Sequence, residues 1–276
     1  MKTSLGFVTA LFTASLGGLL VTVLSLSAAE TTTTTTTKAP ANPWFKPPLR
    51  ASYEEGQFVY ERNCVICHGR TGKGDGDLVQ NWPIRPRNFT QAVFKYRSTP
   101  YGKLPSNADL ERTIRQGVSG TPMPTFNTIL RDSEIKAVIE YIKTFSPDWR
   151  NPDNFAGPIT IPETPAWYME PKDRAEHAAE GKKLFLATCL PCHGEKGDGN
   201  GPAAAGLKDN FGQPIHPADL RQPLRSGAGP QDTWRTIAVG INGTPMVGFN
   251  GAIPPDNLWN LVAYIDSIRL PQPKML

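Results

Sequence analysis

The 276 residues include only four cysteines, four histidines and five methionines, and each scarcity narrows the chemistry. All four cysteines sit in two five-residue motifs, CVICH (Cys64 to His68) and CLPCH (Cys189 to His193), so none is left for a structural disulfide. An oxidising compartment therefore cannot be argued from cystine. Two histidines belong to the same motifs, leaving only His177 and His216 elsewhere. Charge is scarce at the N-terminus, where Lys2 is the only charged residue before Glu30. Prolines and glycines are abundant, at 27 and 25, and predict much loop, while an ordinary hydrophobic fraction of 39% allows a core to form.

Within a helical turn, cysteines at i and i+3 and a histidine at i+4 share one side. That geometry suits a flat cofactor held at its rim by both sulfurs with the imidazole reaching its metal, and C-x-x-C-H is the c-type haem attachment signature. The competing readings of a bare C-x-x-C are half a zinc site or a redox dithiol. The pairs of a shared zinc site lie about 15 to 20 residues apart. These pairs are offset by 125 residues, and zinc does not explain a histidine directly after both. On these motifs the chain resembles the class I cytochrome c family. The resemblance implies a mainly α fold and two covalently attached c-type haems, with thioether bonds from Cys64 and Cys67 and from Cys189 and Cys192. It also implies His68 and His193 as proximal iron ligands.

The surroundings of the motifs repeat as well. EGQFVYERNCVICH aligns with EGKKLFLATCLPCH, matching Gly56 to Gly181 and Tyr60 to Phe185; in the family, that glycine and aromatic meet the C-terminal helix of their own domain. Ser52 with Glu55 three residues on forms a capping-box pattern that predicts the start of the first helix. Gly69, Gly72, Gly74 and Gly76 match Gly194, Gly197, Gly199 and Gly201. Dinucleotide and phosphate loops require a preceding strand, so these glycines read as tight turns. IRPRNF (84–89) matches IHPADL (215–220) at an offset of 131, which places a six-residue insertion in the second repeat. RTIRQG (112–117) and RTIAVG (235–240) predict short helices ended by glycine. Each repeat closes on an i, i+3, i+4, i+7 pattern, Ile135, Val138, Ile139 and Ile142, then Leu258, Leu261, Val262 and Ile265. Tyr141 and Tyr264 occupy matching places and are expected near the N-terminal helix of each repeat.

The expected organisation is a signal peptide or N-terminal membrane anchor (1–29), a Thr/Pro-rich tether (30–49), a first cytochrome c domain (50–145), a Pro-rich linker (146–173) and a second domain (174–276). The small residues Ser27 and Ala29 suit a cleavage site, whereas the length of the apolar run also suits an anchor. Trp149 and Trp167 are expected to pin the linker across a domain surface.

The sixth iron position decides between electron transfer and ligand chemistry. Gly120-Thr121-Pro122-Met123 returns as Gly243-Thr244-Pro245-Met246, 55 residues after His68 and 53 after His193. Methionine is more often core filler than ligand. The remaining methionines, however, are the initiator, one in the linker and one at the tail, and a soft thioether opposite histidine raises a haem's potential. Met123 and Met246 are therefore the expected distal ligands. His177 and His216 are read as surface residues; His216 aligns with Arg85, so that position does not demand an imidazole, and contact with a haem propionate is the alternative for Arg85 and His216. The propionates of two haems offset the net charge of +4, so the basic excess does not argue for nucleic acid or an anionic membrane surface.

The expected function is one-electron transfer by a dihaem cytochrome, exported to the periplasm and soluble or anchored to the outer face of the cytoplasmic membrane. Its partners are a redox donor and acceptor, such as a membrane oxidoreductase and a terminal oxidase. The alternatives are a cytochrome subunit of a membrane-bound respiratory complex and a dihaem peroxidase or thiosulfate dehydrogenase. An enzyme of either kind needs a vacant or labile sixth ligand, against which the matched methionines argue.

Overall fold

Helix α1 (Arg50–Asn63) carries Gly56, Val59 and Tyr60 on one stripe, all three buried, while Glu54, Glu61 and Arg62 face solvent. A computed structural model describes residues 50–82, 84–227 and 229–270 of the chain, so the expected export segment and tether lie outside the described residues. The first helix does not begin where the capping-box pattern placed it. It already runs at Arg50, whose guanidinium pairs with Glu54 one turn on at 3.0 Å, and Ser52 lies inside the helix rather than before it.

After α1 the chain makes a single helical turn, α2 (Val65–His68), and then a loop region containing short 3₁₀ turns at Asp77–Val79 and Phe89–Gln91. Helix α3 (Asn107–Gln116) starts at a capping box in which the Ser106 side chain meets the Asp109 amide and the Asp109 carboxylate meets the Ser106 amide. It ends at Gly117, whose φ of +67° is open to glycine at little cost. Helix α4 (Asp132–Lys143) buries Ile135, Val138, Ile139 and Ile142 against α1, as their spacing predicts. Burial of each such side chain contributes about 1.5 to 3 kcal/mol.

The second repeat has the same plan, with helices α5 (Pro171–Thr188), α6 (Leu190–His193), α7 (Pro230–Val239) and α8 (Pro255–Ser267). Proline stands in the first turn of all four, where its missing N–H costs nothing. Leu258, Leu261, Val262 and Ile265 of α8 are buried against α5. In both repeats the N- and C-terminal helices cross at the matched glycine. A methyl group on Gly56 would collide with the Ala137 carbonyl, and one on Gly181 with that of Asn260. The matched aromatics meet there too: Tyr60 lies 5.3 Å from Tyr141, and Phe185 lies 5.0 Å from Tyr264.

Each repeat has its own core, the first centred on Val59, Tyr60, Ile135 and Ile139, the second on Phe185, Trp234, Leu258 and Trp259. The linker is more structured than its composition suggests. It forms 3₁₀ turns at Pro147–Arg150, Pro152–Asn154 and Ala166–Met169, and α5 begins at Pro171. Trp149 does not lie across a surface but is 1% exposed inside the first core, because its ring fills space beside Phe94 and Phe155. Ile159, Ile161 and Trp167 lean on the second core. No β-strand forms among the described residues, which hold only isolated bridges at Lys208–Pro214 and Asn250–Ile253. Among them, too, no helix is long and apolar enough to cross a membrane.

Candidate functional site

The two C-x-x-C-H motifs fold alike. The His68 and Cys67 amides both donate to the Cys64 carbonyl, at 2.8 and 3.2 Å, and those of His193 and Cys192 to the Cys189 carbonyl, at 2.9 and 3.2 Å. The turn is then locked by the glycine loop that follows: Gly74 donates to the carbonyl of His68 (2.9 Å) and Gly199 to that of His193 (2.8 Å). All four cysteines are half-buried, and none is in a disulfide. Burial, reinforced by the neighbouring cysteine, pushes the Cys64 thiol up to about 12 and the Cys189 thiol up to about 11. Burial at these two positions disfavours the thiolate that a zinc site needs. Among the described residues no three His, Cys, Asp or Glu side chains gather closely enough to hold a metal ion, as a zinc site requires.

Each histidine is fixed through Nδ1. In the first repeat that atom lies 3.0 Å from the Arg87 carbonyl, and in the second 3.2 Å from the Ala218 carbonyl. The bond selects the tautomer protonated at Nδ1 and leaves the Nε2 lone pair free to ligate. Burial lowers the His68 pKa to about 4 against the opposing pull of the Arg87 carbonyl, and lowers that of His193 against the Ala218 carbonyl. Both rings are neutral near pH 7, the form that binds a metal. Phe89 stacks on the His68 ring at 4.5 Å. Arg87 and Ala218 are what the sequence reading missed. IRPRNF and IHPADL stood out as repeats, but the acceptor is a backbone carbonyl, indifferent to whether the side chain is arginine or alanine. The only available signal was the proline just before it in both copies.

The methionine loops are built alike as well. Thr121 Oγ1 donates to the Val118 carbonyl (2.7 Å) and accepts from the Met123 amide (3.2 Å); Thr244 does the same with Ile241 (2.8 Å) and Met246 (3.2 Å). Val118 N–H returns to the Met123 carbonyl and Ile241 N–H to that of Met246. The threonine of each GTPM is therefore the brace of its methionine. Both methionines are half-buried, and Met123 packs on the same core as Cys64 and Val65. Cys189 borders the second core.

The secondary candidates have hydrogen-bond partners of their own. Arg85 donates to the carbonyls of Val79 and Gln80, and His216 bonds its neighbour Pro217. His177 is not a bare surface residue: it stacks on Trp167 at 3.6 Å and meets Asn260 Oδ1 at 2.7 Å.

Comparison with known proteins gives two adjacent family matches. Residues 51–142 match "Cytochrome C oxidase, cbb3-type, subunit III", and residues 178–269 match "Cytochrome c". Among curated relatives, the cbb3-type cytochrome c oxidase subunit FixP of Azorhizobium caulinodans is 28% identical over 159 residues, covering 55% of this chain and 42% of that protein. The thiosulfate dehydrogenase of Psychrobacter arcticus is 24% identical over 216 residues, covering 76% of this chain and 56% of that protein. The chain thus spans little more than half the length, or less, of these curated relatives. A solved chain of the Kuenenia stuttgartiensis reducing HAO-like protein complex Kustc0457/Kustc0458 superposes with a TM-score of 0.70 at 33% identity, covering 79% of this chain and 96% of that one. With one cytochrome model matched on each repeat and a 33% identical structure matched almost end to end, the chain belongs to the c-type cytochromes, as a tandem electron-transfer protein with two covalently bound, iron-containing haems.

Proposed function

We propose that Cys64 and Cys67, and Cys189 and Cys192, would hold the two haems through thioethers, with His68 and Met123 supplying the iron's protein ligands in the first repeat and His193 and Met246 in the second. The observation that carries this reading is the complete duplication of the donor set: in each repeat a histidine held at Nδ1 and a methionine held by a threonine brace. When bound, the haem supplies one-electron Fe(III)/Fe(II) cycling. The chain's own part is positional. The Arg87 and Ala218 carbonyls keep Nε2 aimed and strengthen it as a donor, the threonines hold the thioethers, and the cores exclude water. The charges also fit. Arg87 and Lys95 both feel the Asp209 carboxylate, and Lys95 also has Arg87 and Arg225 near it; burial first, then Arg87 and Arg225, lowers the Lys95 pKa. A cluster around Lys95 that holds more cations than carboxylates suits the propionates of a haem.

On this reading the protein is a dihaem carrier of single electrons with no catalytic residue. Residues 50–145 and 174–276 are its two domains, and residues 1–29 an export signal or anchor that delivers them to the periplasmic side of the membrane. Its partners are a protein donor and a protein acceptor. A second reading, a cytochrome subunit held within an oxidoreductase complex, is supported by the names of relatives that are an oxidase subunit and a member of a multiprotein complex. A third, thiosulfate dehydrogenase activity, is supported by the name of a relative matched over 216 residues.

The test is the optical spectrum of the purified holoprotein, oxidised and then reduced. A methionine-to-iron charge-transfer band of two-haem intensity, with reduced protein that does not bind carbon monoxide, supports the carrier. A haem that lacks the band and takes up carbon monoxide overturns it for that haem, and turnover of thiosulfate with an electron acceptor would then establish the enzyme.

A further inference from the structure

The two methionine loops are alike inside and unlike outside. Between IRPRNF and RTIRQG the first repeat carries eight more residues than the second, since the offset falls from 131 to 123. That added length holds residues 97–103, which reach across to the second repeat. Arg97, only 1% exposed, donates from Nη1 to the Gly240 carbonyl at 3.1 Å and from Nη2 to the Val239 carbonyl at 2.7 Å. Its charge thus meets the C-terminal end of α7, where unpaired carbonyls carry partial negative charge. Tyr101, under the Arg97 guanidinium at 5.5 Å, donates its hydroxyl to the Thr244 carbonyl at 2.7 Å. Gly102 N–H meets Asn242 Oδ1 at 2.7 Å, and Asn242 Nδ2 donates to the Lys103 carbonyl at 3.0 Å. A sixth bond comes from the second repeat's own insertion, from the Asn210 amide to the Gly243 carbonyl at 3.0 Å.

These bonds land on residues 239–244, the stretch that ends in the threonine brace of Met246. Among the described residues no hydrogen bond from the second repeat holds the first loop. Among the described residues, the hydrogen bonds found on residues 118–123 come from within that loop, and Ser119, the counterpart of the buried Asn242, is exposed.

We propose that residues 97–103 are a strap that fixes the methionine loop of the second repeat, with Arg97 and Tyr101 as positioning residues, so that Met246 is the harder methionine to displace and Met123 the easier. The proposal rests on the reading of both methionines as distal ligands. To pull Met246 off its iron, the loop must shift against bonds anchored in the other repeat. Met123 leaves by moving only its own exposed loop.

The test is an imidazole titration of the ferric holoprotein, followed by loss of the methionine-to-iron charge-transfer band. Wild type is expected to lose the band in two equal phases. Met246→His removes the high-imidazole phase and Met123→His the low one, which assigns them. Tyr101→Phe deletes one neutral hydrogen bond on a partly exposed ring and is expected to move the upper phase about fivefold towards lower imidazole; Arg97→Gln moves it tenfold or more. The lower phase stays in place in both. A single phase in wild type, an upper phase assigned to Met123, or an upper phase unmoved by Tyr101→Phe and Arg97→Gln overturns the strap. A band that survives intact in the methionine variants overturns the ligand reading instead.

Discussion

Asp109 is expected to be the most costly carboxylate to neutralise in the first repeat. It is fully buried, and its Oδ2 accepts from the amide and hydroxyl of Ser98, both at 2.9 Å, and from the amide and hydroxyl of Ser106, at 3.0 and 2.9 Å. Oδ1 lies 2.9 Å from Arg112 Nη1. Asp109→Asn can keep one oxygen facing the serines, but its amide nitrogen then faces Arg112, donor against donor. Breaking a buried pair by removing one partner costs about 3 to 5 kcal/mol, and Arg112 keeps enough exposure to place the loss near the lower end, about 3 kcal/mol. For a protein of this size that is a fall in Tm of about 6 to 12 °C. Burial alone would raise the Asp109 pKa, but the Ser98 amide, Arg112 and Ser106 outweigh it and hold the carboxyl below its usual range. Because the folded value is depressed, the stabilisation is fully present above the unfolded value of about 3.9 and is lost as pH falls through the folded one. Chemical denaturation of wild type and Asp109→Asn at pH 7, 5 and 3 checks both parts. The deficit is expected in full at pH 7 and 5 and reduced at pH 3. A deficit under about 0.5 kcal/mol at pH 7, or one that does not shrink on acidification, would refute the reasoning.

Other substitutions test other parts of the structure. Gly181→Ala must push α5 off the Asn260 carbonyl and is expected to cost about 2 to 4 kcal/mol, read as a lower melting temperature, because backbone cannot step aside as a side chain would. Cys64→Ala combined with Cys67→Ala is expected to leave a chain whose mass under denaturing conditions includes one haem instead of two. Tyr168→Phe removes a hydroxyl that donates to the Asp266 carboxylate of α8 and is expected to destabilise by about 1 to 2 kcal/mol in urea melts, without altering the haem spectrum.

The parts of this structure that were legible in the sequence are those a local period or punctuation encodes. Ile135 to Ile142 and Leu258 to Ile265 marked α4 and α8, because a 3.6-residue repeat must present one face to a core. Gly117 and Gly240 marked the ends of α3 and α7, because their φ of about +70° suits glycine. The candidate ligands were readable for a different reason: the same rare residue types recur in the same order. What escaped depends on contacts that no local pattern reports. The His68 acceptor is a carbonyl 19 residues away, so side-chain identity says nothing about it. His177 gains its stack and hydrogen bond from Trp167 and from Asn260 in α8, which only the folded repeat assembles. No local pattern singles out Arg97, whose partners lie more than 140 positions later and give it a buried role.

The crossing of residues 97–103 into the second repeat also bears on how the molecule is made. Synthesis runs from the N-terminus, so Arg97, Tyr101 and Lys103 exist before α7 has been translated. The first half can close its core around α1 and α4 while these groups remain hydrated. The bonds from residues 97–103 then form as the second half, which has its own core, folds against a surface that is already there. A gene divided in the linker would give a first fragment able to build its own core. The second fragment would carry the Val239 and Gly240 carbonyls and the Asn242 amide without their partners, and co-expression of both fragments, rather than refolding of the second alone, is the route by which it would be completed.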